Sequence, residues 1–132
     1  MTTAKQVIHE LYEAFARGDA ATVLGALHPA VNWMEAESGP LAVGNPYASP
    51  QAVGEGVFGP ILQEVEDFRV DPTDLVAEDR DVVAFGRYTG VHRGTGQALD
   101  AQFVHRWTLE DGKVVAFQQY TDTAQWNRVY GV

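Results

Sequence analysis

Apolar residues follow two different repeat patterns along this chain, and the change between them comes near residue 67. Before that point, apolar positions recur at helical spacing in residues 4–15 and, more weakly, in residues 20–27 and 50–65. After it, apolar and polar residues alternate with a period of two, which predicts a series of long strands. Helices followed by strands, without βαβ alternation, favour an α+β fold in which helices cover one face of a sheet.

The first two predicted helices have clear boundaries. Thr3 and Gln6 have the spacing of a capping box, and Arg17-Gly18 ends the first helix. Asp19 can cap a short second helix, which must end near His28-Pro29 because proline disfavours helical geometry in the residue before it. The apolar face of the first helix is predicted to consist of Ala4, Val7, Ile8, Leu11 and Phe15.

A third helix is predicted after Ser49-Pro50, with a kink near Gly59-Pro60, because proline removes a helical hydrogen bond and clashes with the preceding turn. Residues 54–59 of this segment also match GxGxxG. No buried strand precedes them, so the match does not predict dinucleotide binding.

Turn-forming residues divide the second half of the chain into the strands of an antiparallel meander. The predicted turns are Asp71-Pro72, Glu78 to Asp81, Gly94 to Gly96 and Asp111-Gly112.

The last predicted hairpin carries a titratable ring, His105, between Phe103 and Trp107. If residues 110–112 form a three-residue turn with Gly112 in the left-handed conformation, Leu109 pairs with Lys113. In that register the inward positions Phe103, His105 and Trp107 lie opposite Gln119, Phe117 and Val115. An inward His105 has two interpretations: a core histidine bonded to a backbone carbonyl, Tyr47 or Tyr88, or an acid-base group in a cavity.

Two carboxylates are candidates to work with this histidine. Glu35 shares a predicted strand face with Trp33, so an inward Trp33 brings an inward carboxylate whose pKa burial would raise. The alternative is that Glu35 lies in water at the strand end or pairs with an arginine. Asp122 follows the last strand, where it could either reach the cavity or cap a short helix running through Trp126.

Composition limits the possible partners. A chain of 132 residues predicts a single domain spanning residues 1–132, and the net charge of -9 disfavours nucleic acid as a partner. No apolar run is long enough for a membrane span or a signal peptide, and there is no cysteine, so we expect a cytoplasmic protein. The four histidines lie far apart in the sequence, so no metal site is predicted.

The order helix, Gly18-Asp19, short helix, "HPAVNW", loop, helix, "DFRVDPTDLVAEDRDVVAFGRYTG", "HRW", "DGKVVAF" and "YTD" extends over essentially the whole chain. It resembles the SnoaL-like and ketosteroid isomerase-related branch of the nuclear transport factor 2-like superfamily. The resemblance implies a cone-shaped α+β fold, with a curved, mainly antiparallel sheet wrapped around a long N-terminal helix plus two further helices. It also implies a hydrophobic pocket, and a homodimer formed through the outer sheet face.

Transfer of functional residues from this superfamily is partial. The general base of the steroid isomerases falls on Glu35, but their two oxyanion-hole donors fall on Leu11 and Phe103, which cannot donate hydrogen bonds. The polyketide cyclases of the SnoaL type are similar in using a histidine and an aspartate, for which His105 and Asp122 are the nearest counterparts.

Two functions are therefore expected as alternatives. The first is a cofactor-independent isomerase or cyclase doing acid-base chemistry on a hydrophobic carbonyl compound, with Glu35, His105 and Asp122 as catalytic residues. The second is a non-catalytic ligand-binding or dimeric accessory protein. In either case the expected substrate-binding residues are Trp33, Tyr47, Phe58, Tyr88, Phe103, Trp107, Phe117 and Gln119.

Overall fold

The computed structural model describes residues 2–132 and has the predicted α+β architecture. Its α-helices are α1 (Ala4–Ala16), α2 (Ala20–Gly25), α3 (Pro50–Val53), α4 (Gly59–Glu64) and α5 (Thr123–Tyr130). Its strands are β1 (Leu27–Met34), β2 (Val65–Glu78), β3 (Asp81–His92), β4 (Ala98–Glu110) and β5 (Lys113–Thr121). A short 3-10 turn, Ala42–Gly44, lies in the loop after β1.

The sheet is a single curved layer with the strand order β1-β5-β4-β3-β2. β1 runs parallel to β5, and the other three pairings are antiparallel, as expected for a mainly antiparallel sheet. Alternate residues of β4 are buried against the helices, because successive side chains of a strand point to opposite faces. The result is a cone in which one sheet face and α1 enclose the core.

Helix α1 follows its sequence signals closely. The Thr3 side chain accepts a hydrogen bond from the backbone N–H of Gln6, and the Gln6 side chain accepts one from the N–H of Thr3. The buried face of α1 includes Tyr12 beside Leu11. This tyrosine was not part of the predicted apolar face, and it lies at the functional site.

The third predicted helix is interrupted instead of simply kinked. α3 and α4 are joined by a π-helical turn, Gly54–Phe58, in which the N–H of Gly59 bonds to the carbonyl of Gly54. Pro60 has no N–H to donate to the preceding turn, which is a physical reason for wider turns here. The chain also has α5, which the expected count of two further helices did not include.

The turn predicted at Asp71-Pro72 is wrong. These residues lie within β2, a 14-residue strand whose pairing with β3 is irregular between Pro72 and Asp74. β2 is an edge strand, where a proline without an N–H is tolerated beside a bulge.

The β4–β5 hairpin differs from the predicted register by one residue next to the turn and by two residues beyond the bulge. Glu110 pairs with Lys113 across a two-residue turn, and an irregularity between Thr108 and Leu109 then leaves Val115 unpaired. His105 consequently lies opposite Gln119, and Trp107 lies opposite Phe117. Because the turn and the bulge together preserve alternation, the inward direction of His105 is confirmed although its predicted partner is wrong.

In the described part of the chain, residues 2–132, no helix combines the length and apolar character needed to cross a membrane. The cytoplasmic location remains a prediction from the sequence.

Candidate active site

A cavity lies between α1, the helical segment 50–64 and the inner face of the sheet. The space between its lining side chains is about 560 Å³, including an open mouth. Six of the predicted substrate-binding residues line it: Trp33, Phe58, Tyr88, Trp107, Phe117 and Gln119.

Glu35 supplies the carboxyl group of the cavity. Glu35 lies immediately after β1 and is only 4% exposed. The side chain of Asn45 holds the backbone of Glu35 by two hydrogen bonds. One carboxyl oxygen, Oε2, accepts a hydrogen bond of 2.9 Å from Trp33 Nε1. Burial raises the pKa of Glu35 to about 7, an effect only partly opposed by the Trp33 hydrogen bond. The carboxyl group can therefore exchange a proton near neutral pH.

No arginine or lysine is among the cavity-lining residues of the described chain, and no described cationic side chain forms an ion pair with Glu35. The structure therefore contradicts both alternatives for Glu35, exposure to solvent and pairing with an arginine. An unpaired carboxyl group in an apolar cavity is costly to ionise, which makes it a candidate functional group.

His105 lies at the floor of the cavity, 4% exposed, with its ring stacked on Phe103 at a centroid distance of 4.0 Å. Tyr12 Oη lies 2.6 Å from His105 Nδ1, and Tyr88 Oη is hydrogen-bonded to His105 Nε2. Burial lowers the pKa of His105 to about 3, so the ring is neutral at physiological pH. Of the expected partners, Tyr88 is confirmed and Tyr47 is not.

Two further donors complete the polar cluster around this ring. Trp107 Nε1 donates to Tyr12 Oη over 2.9 Å, and Gln119 Nε2 donates to Tyr88 Oη over 2.8 Å. Desolvation raises the pKa of both tyrosines above the ordinary value, so both hydroxyls keep their protons at neutral pH. The cluster thus presents neutral hydroxyl groups to the cavity.

Three predicted site residues lie elsewhere. Asp122 is an exposed N-cap of α5, accepting a hydrogen bond of 3.2 Å from the Gln125 backbone, and it does not line the cavity. Tyr47 does not line the cavity, and its hydroxyl donates a hydrogen bond of 2.6 Å to the Leu41 carbonyl. Phe103 is buried beneath His105 and supports its ring instead of lining the cavity. The helix-cap alternative for Asp122 is the one that the geometry supports.

The sequence reasoning missed Tyr12, which is the most informative omission. Tyr12 lies four residues after Ile8, within the apolar stripe of α1, so helical periodicity could have identified it. It follows Leu11, the position onto which the steroid isomerase donor was placed. A hydroxyl donor on the first helix is therefore present, one residue further along. Apolar lining residues were missed as well: Leu11, Phe15, Val23, Val57, Ile61, Phe68 and Val70.

Within residues 2–132, no group of three histidine, aspartate or glutamate side chains is arranged to hold a metal ion. The cavity therefore offers one carboxyl group and a hydroxyl–imidazole cluster as its chemically active groups.

The fold and this cavity define a cone-shaped protein of the nuclear transport factor 2-like (NTF2-like) class. The model of the SnoaL-like domain matches residues 8–117, and the chain belongs to this SnoaL-like family.

Solved structures share the fold over nearly the whole chain. An NTF2-like protein from Burkholderia thailandensis E264 is 29% identical, with a TM-score of 0.93 and 98% of each chain covered. An NTF2-like protein of unknown function from Burkholderia pseudomallei K96243 is 27% identical, with a TM-score of 0.89 and 100% of each chain covered. TerC, co-crystallised with polyporic acid, is 23% identical, with a TM-score of 0.84 and 98% of each chain covered. The sequence matches no curated protein.

Proposed function

We propose that this protein binds a small, mostly apolar carbonyl compound and catalyses proton transfer on it without a cofactor, as an isomerase or a cyclase. The observation that carries the proposal is Glu35, a buried carboxyl group in an open cavity, with a pKa of about 7 and no cationic partner among the described residues. The likeness of the fold to TerC, which was co-crystallised with polyporic acid, supports a small organic ligand.

The chemistry balances with the groups present. The Glu35 carboxylate removes a proton from the carbon next to the carbonyl, and the C–H electron pair forms the C=C bond of an enolate. The carbonyl π electrons move to oxygen, where a tyrosine hydroxyl of the cluster stabilises the negative charge by a hydrogen bond. Where the substrate is a β,γ-unsaturated ketone, the enolate extends over the second C=C bond, and return of the proton from Glu35 to the γ-carbon gives an isomer. Where the substrate carries a second carbonyl, the enolate carbon attacks it to close a ring, and the oxygen of that carbonyl takes the proton from Glu35.

This assignment changes the role first expected for His105. A ring that is neutral at pH 7 and bonded at both nitrogens does not reach a substrate directly. Tyr12 or Tyr88 takes the place of the histidine as the group that contacts the oxygen, and His105 becomes their positioning residue.

Hydrogen–deuterium exchange tests the proposal with a simple ketone. We expect the protein to accelerate deuterium incorporation from D2O into the acidic positions of 2-tetralone, followed by NMR. Glu35→Gln should reduce the accelerated rate by about 100-fold or more, the usual contribution of a general base. Glu37→Gln is the matched control, because Glu37 is an exposed glutamate two residues away.

The same experiment separates the two expected functions. Equal affinity of the wild-type protein and Glu35→Gln for 2-tetralone, with no acceleration of exchange by either, would show a non-catalytic binding protein. Acceleration that survives Glu35→Gln would contradict the assigned base.

We also propose that the outer sheet face pairs with a second copy of the chain. Tyr120 of β5 is 56% exposed and Phe85 of β3 is 41% exposed on this face, beside Val104 of β4. Large exposed apolar side chains grouped on an uncovered sheet face are typical of an interface. The ion pair of Arg106 with Asp81, 3.6 Å, lies on the same face and gives it groups of both signs.

A further inference from the structure

Tyr12, His105 and Tyr88 form a hydrogen-bonded triad that carries more polar hydrogens than it has hydrogen bonds between its members. It contains two contacts between a hydroxyl oxygen and a ring nitrogen: Tyr12 Oη with Nδ1 and Tyr88 Oη with Nε2. Each contact holds one hydrogen. Two protonated tyrosines and one neutral imidazole bring three hydrogens in total.

The neighbouring hydrogen bonds do not absorb the third hydrogen. Trp107 Nε1 can only donate, so Tyr12 Oη is the acceptor in that bond. Gln119 Oε1 accepts from the backbone N–H of Ala36 over 3.0 Å, which turns its NH2 group towards Tyr88. Each tyrosine oxygen therefore accepts a hydrogen bond from one of these neighbouring side chains, Trp107 or Gln119. The hydroxyl hydrogens of the two tyrosines are not used in these bonds.

One hydroxyl hydrogen is consequently left without a protein acceptor. No other acceptor among residues 2–132 forms a hydrogen bond with either tyrosine oxygen, and both tyrosines line the cavity. If Nε2 of His105 carries the ring proton, Tyr12 donates to Nδ1 and the spare hydrogen belongs to Tyr88. If Nδ1 carries it, Tyr88 donates to Nε2 and the spare hydrogen belongs to Tyr12.

We propose that this spare hydroxyl hydrogen is the donor with which the cavity binds a ligand oxygen, and that the tautomer of His105 decides whether Tyr12 or Tyr88 supplies it. The choice of a ketone as the ligand rests on the proposed function. The hydrogen count itself does not depend on any ligand.

The ligand-free test uses 15N NMR of the imidazole ring, in which a protonated nitrogen and a bare nitrogen are readily distinguished. The His105 signals are those that disappear in His105→Gln. A buried N–H without an acceptor is rarer in proteins than a bare acceptor, so removing one hydroxyl should move the ring proton towards the other tyrosine. Tyr12→Phe should therefore hold the proton on Nε2, and Tyr88→Phe should hold it on Nδ1.

Opposite tautomers in the two variants would support the inference, and the same tautomer in both would overturn it. The wild-type spectrum is a second measurement, and it requires neither tyrosine variant. A ring protonated on both nitrogens at pH 7 would add a fourth hydrogen and overturn the inference as well.

The ligand test uses the infrared carbonyl stretch of 2-tetralone bound to each protein, because hydrogen bonding lowers this frequency. Each single variant keeps one spare hydroxyl, so the lowered frequency should persist in Tyr12→Phe and in Tyr88→Phe. The double variant should show the frequency found in an apolar solvent and bind about tenfold more weakly, the typical effect of one hydrogen bond.

The proposal that either tyrosine can supply the donor would be overturned if the lowered frequency were lost in only one of the two single variants. One tyrosine would then be the fixed donor. If the opposite tautomers appear but wild-type protein does not bind 2-tetralone, the hydrogen count stands and the proposed carbonyl function fails. The two failures are therefore distinguishable.

Discussion

The buried carboxyl group of Glu35 should make the free energy of unfolding depend on pH, and the substitution Glu35→Gln should remove that dependence. Burial raises the pKa of Glu35 from 4.5 to about 7. Between these two values the unfolded chain has lost the proton and the folded chain still holds it. Stability from this group is fully present below pH 4.5 and is lost as the pH rises through about 7.

The magnitude follows from the size of the shift. Raising the pKa of Glu35 from 4.5 to about 7, at about 1.4 kcal/mol per unit, corresponds to a loss of about 3 kcal/mol at alkaline pH. Glu35→Gln removes the ionisation and keeps an amide oxygen that can accept from Trp33 Nε1. The variant should match the wild-type protein near pH 4 and exceed its free energy of unfolding by about 3 kcal/mol at pH 8 and above.

The assay must compare the two proteins, because His105 acts in the opposite direction. Burial lowers the pKa of His105 from 6.5 to about 3, so its contribution to stability is present above pH 6.5 and is lost as the pH falls through about 3. From pH 4.5 to 6.5 the two effects oppose each other, and the wild-type curve should be nearly flat with respect to these groups. Subtracting the wild-type free energy from that of Glu35→Gln leaves the Glu35 effect.

Urea unfolding at half-unit steps from pH 4 to 9, followed by tryptophan fluorescence, gives the required difference. Glu37→Gln provides the control and should remain parallel to the wild-type curve, because Glu37 is exposed. A Glu35→Gln difference that does not change between pH 4 and 9 would refute the assignment of a raised pKa to Glu35, and with it the basis of the proposed base.

Four other outcomes are expected. The rate of 2-tetralone exchange should rise with pH through about 7, as Glu35 ionises, and then level off; a rate independent of pH from 5 to 9 would contradict this. Asp122→Ala should lower the free energy of unfolding by about 1 kcal/mol through loss of the helix cap, with unchanged exchange kinetics, and a large loss of activity at unchanged stability would return Asp122 to the site. Gly86→Ala should destabilise the protein by about 1–3 kcal/mol in urea unfolding, because the added methyl group would collide with the carbonyl of Asp71; an unchanged midpoint would show that the strand adapts. Tyr120→Lys should convert a dimer to a monomer in light scattering, whereas a wild-type monomer would exclude the proposed interface.

The inward direction of the site residues could be predicted from the sequence, because it depends only on the period of a strand. Phe103, His105 and Trp107 share a face in any register, and Glu35 follows Trp33 on the same side. The exact pairing could not be predicted in this way. It depends on a two-residue turn and on a bulge at Val115, and these compensate for each other without leaving a distinct sequence signal.

The contents of the cavity were harder to predict than its existence. Tyr47 and Trp33 are joined by a β-bridge, yet only Trp33 reaches the cavity, because Tyr47 fills the space beside Gly44 and Gly56. Asp122 follows the strand that carries Gln119, but the start of α5 uses its carboxylate as a cap. In both cases the competing partner is a local backbone feature that periodicity does not report.

The environment of His105 explains why the acid-base chemistry of this site must be divided between other groups. Because burial lowers the pKa of His105 to about 3, the ring is neutral at pH 7 and is not an efficient proton donor. The same burial that neutralises the ring lets each ring nitrogen hydrogen-bond to one tyrosine, and the hydroxyl hydrogen left over can be donated to an oxyanion without the ring first binding a proton. Glu35, by contrast, has a pKa near neutrality and one oxygen outside the Trp33 hydrogen bond, so it is the group that can both remove and return a proton.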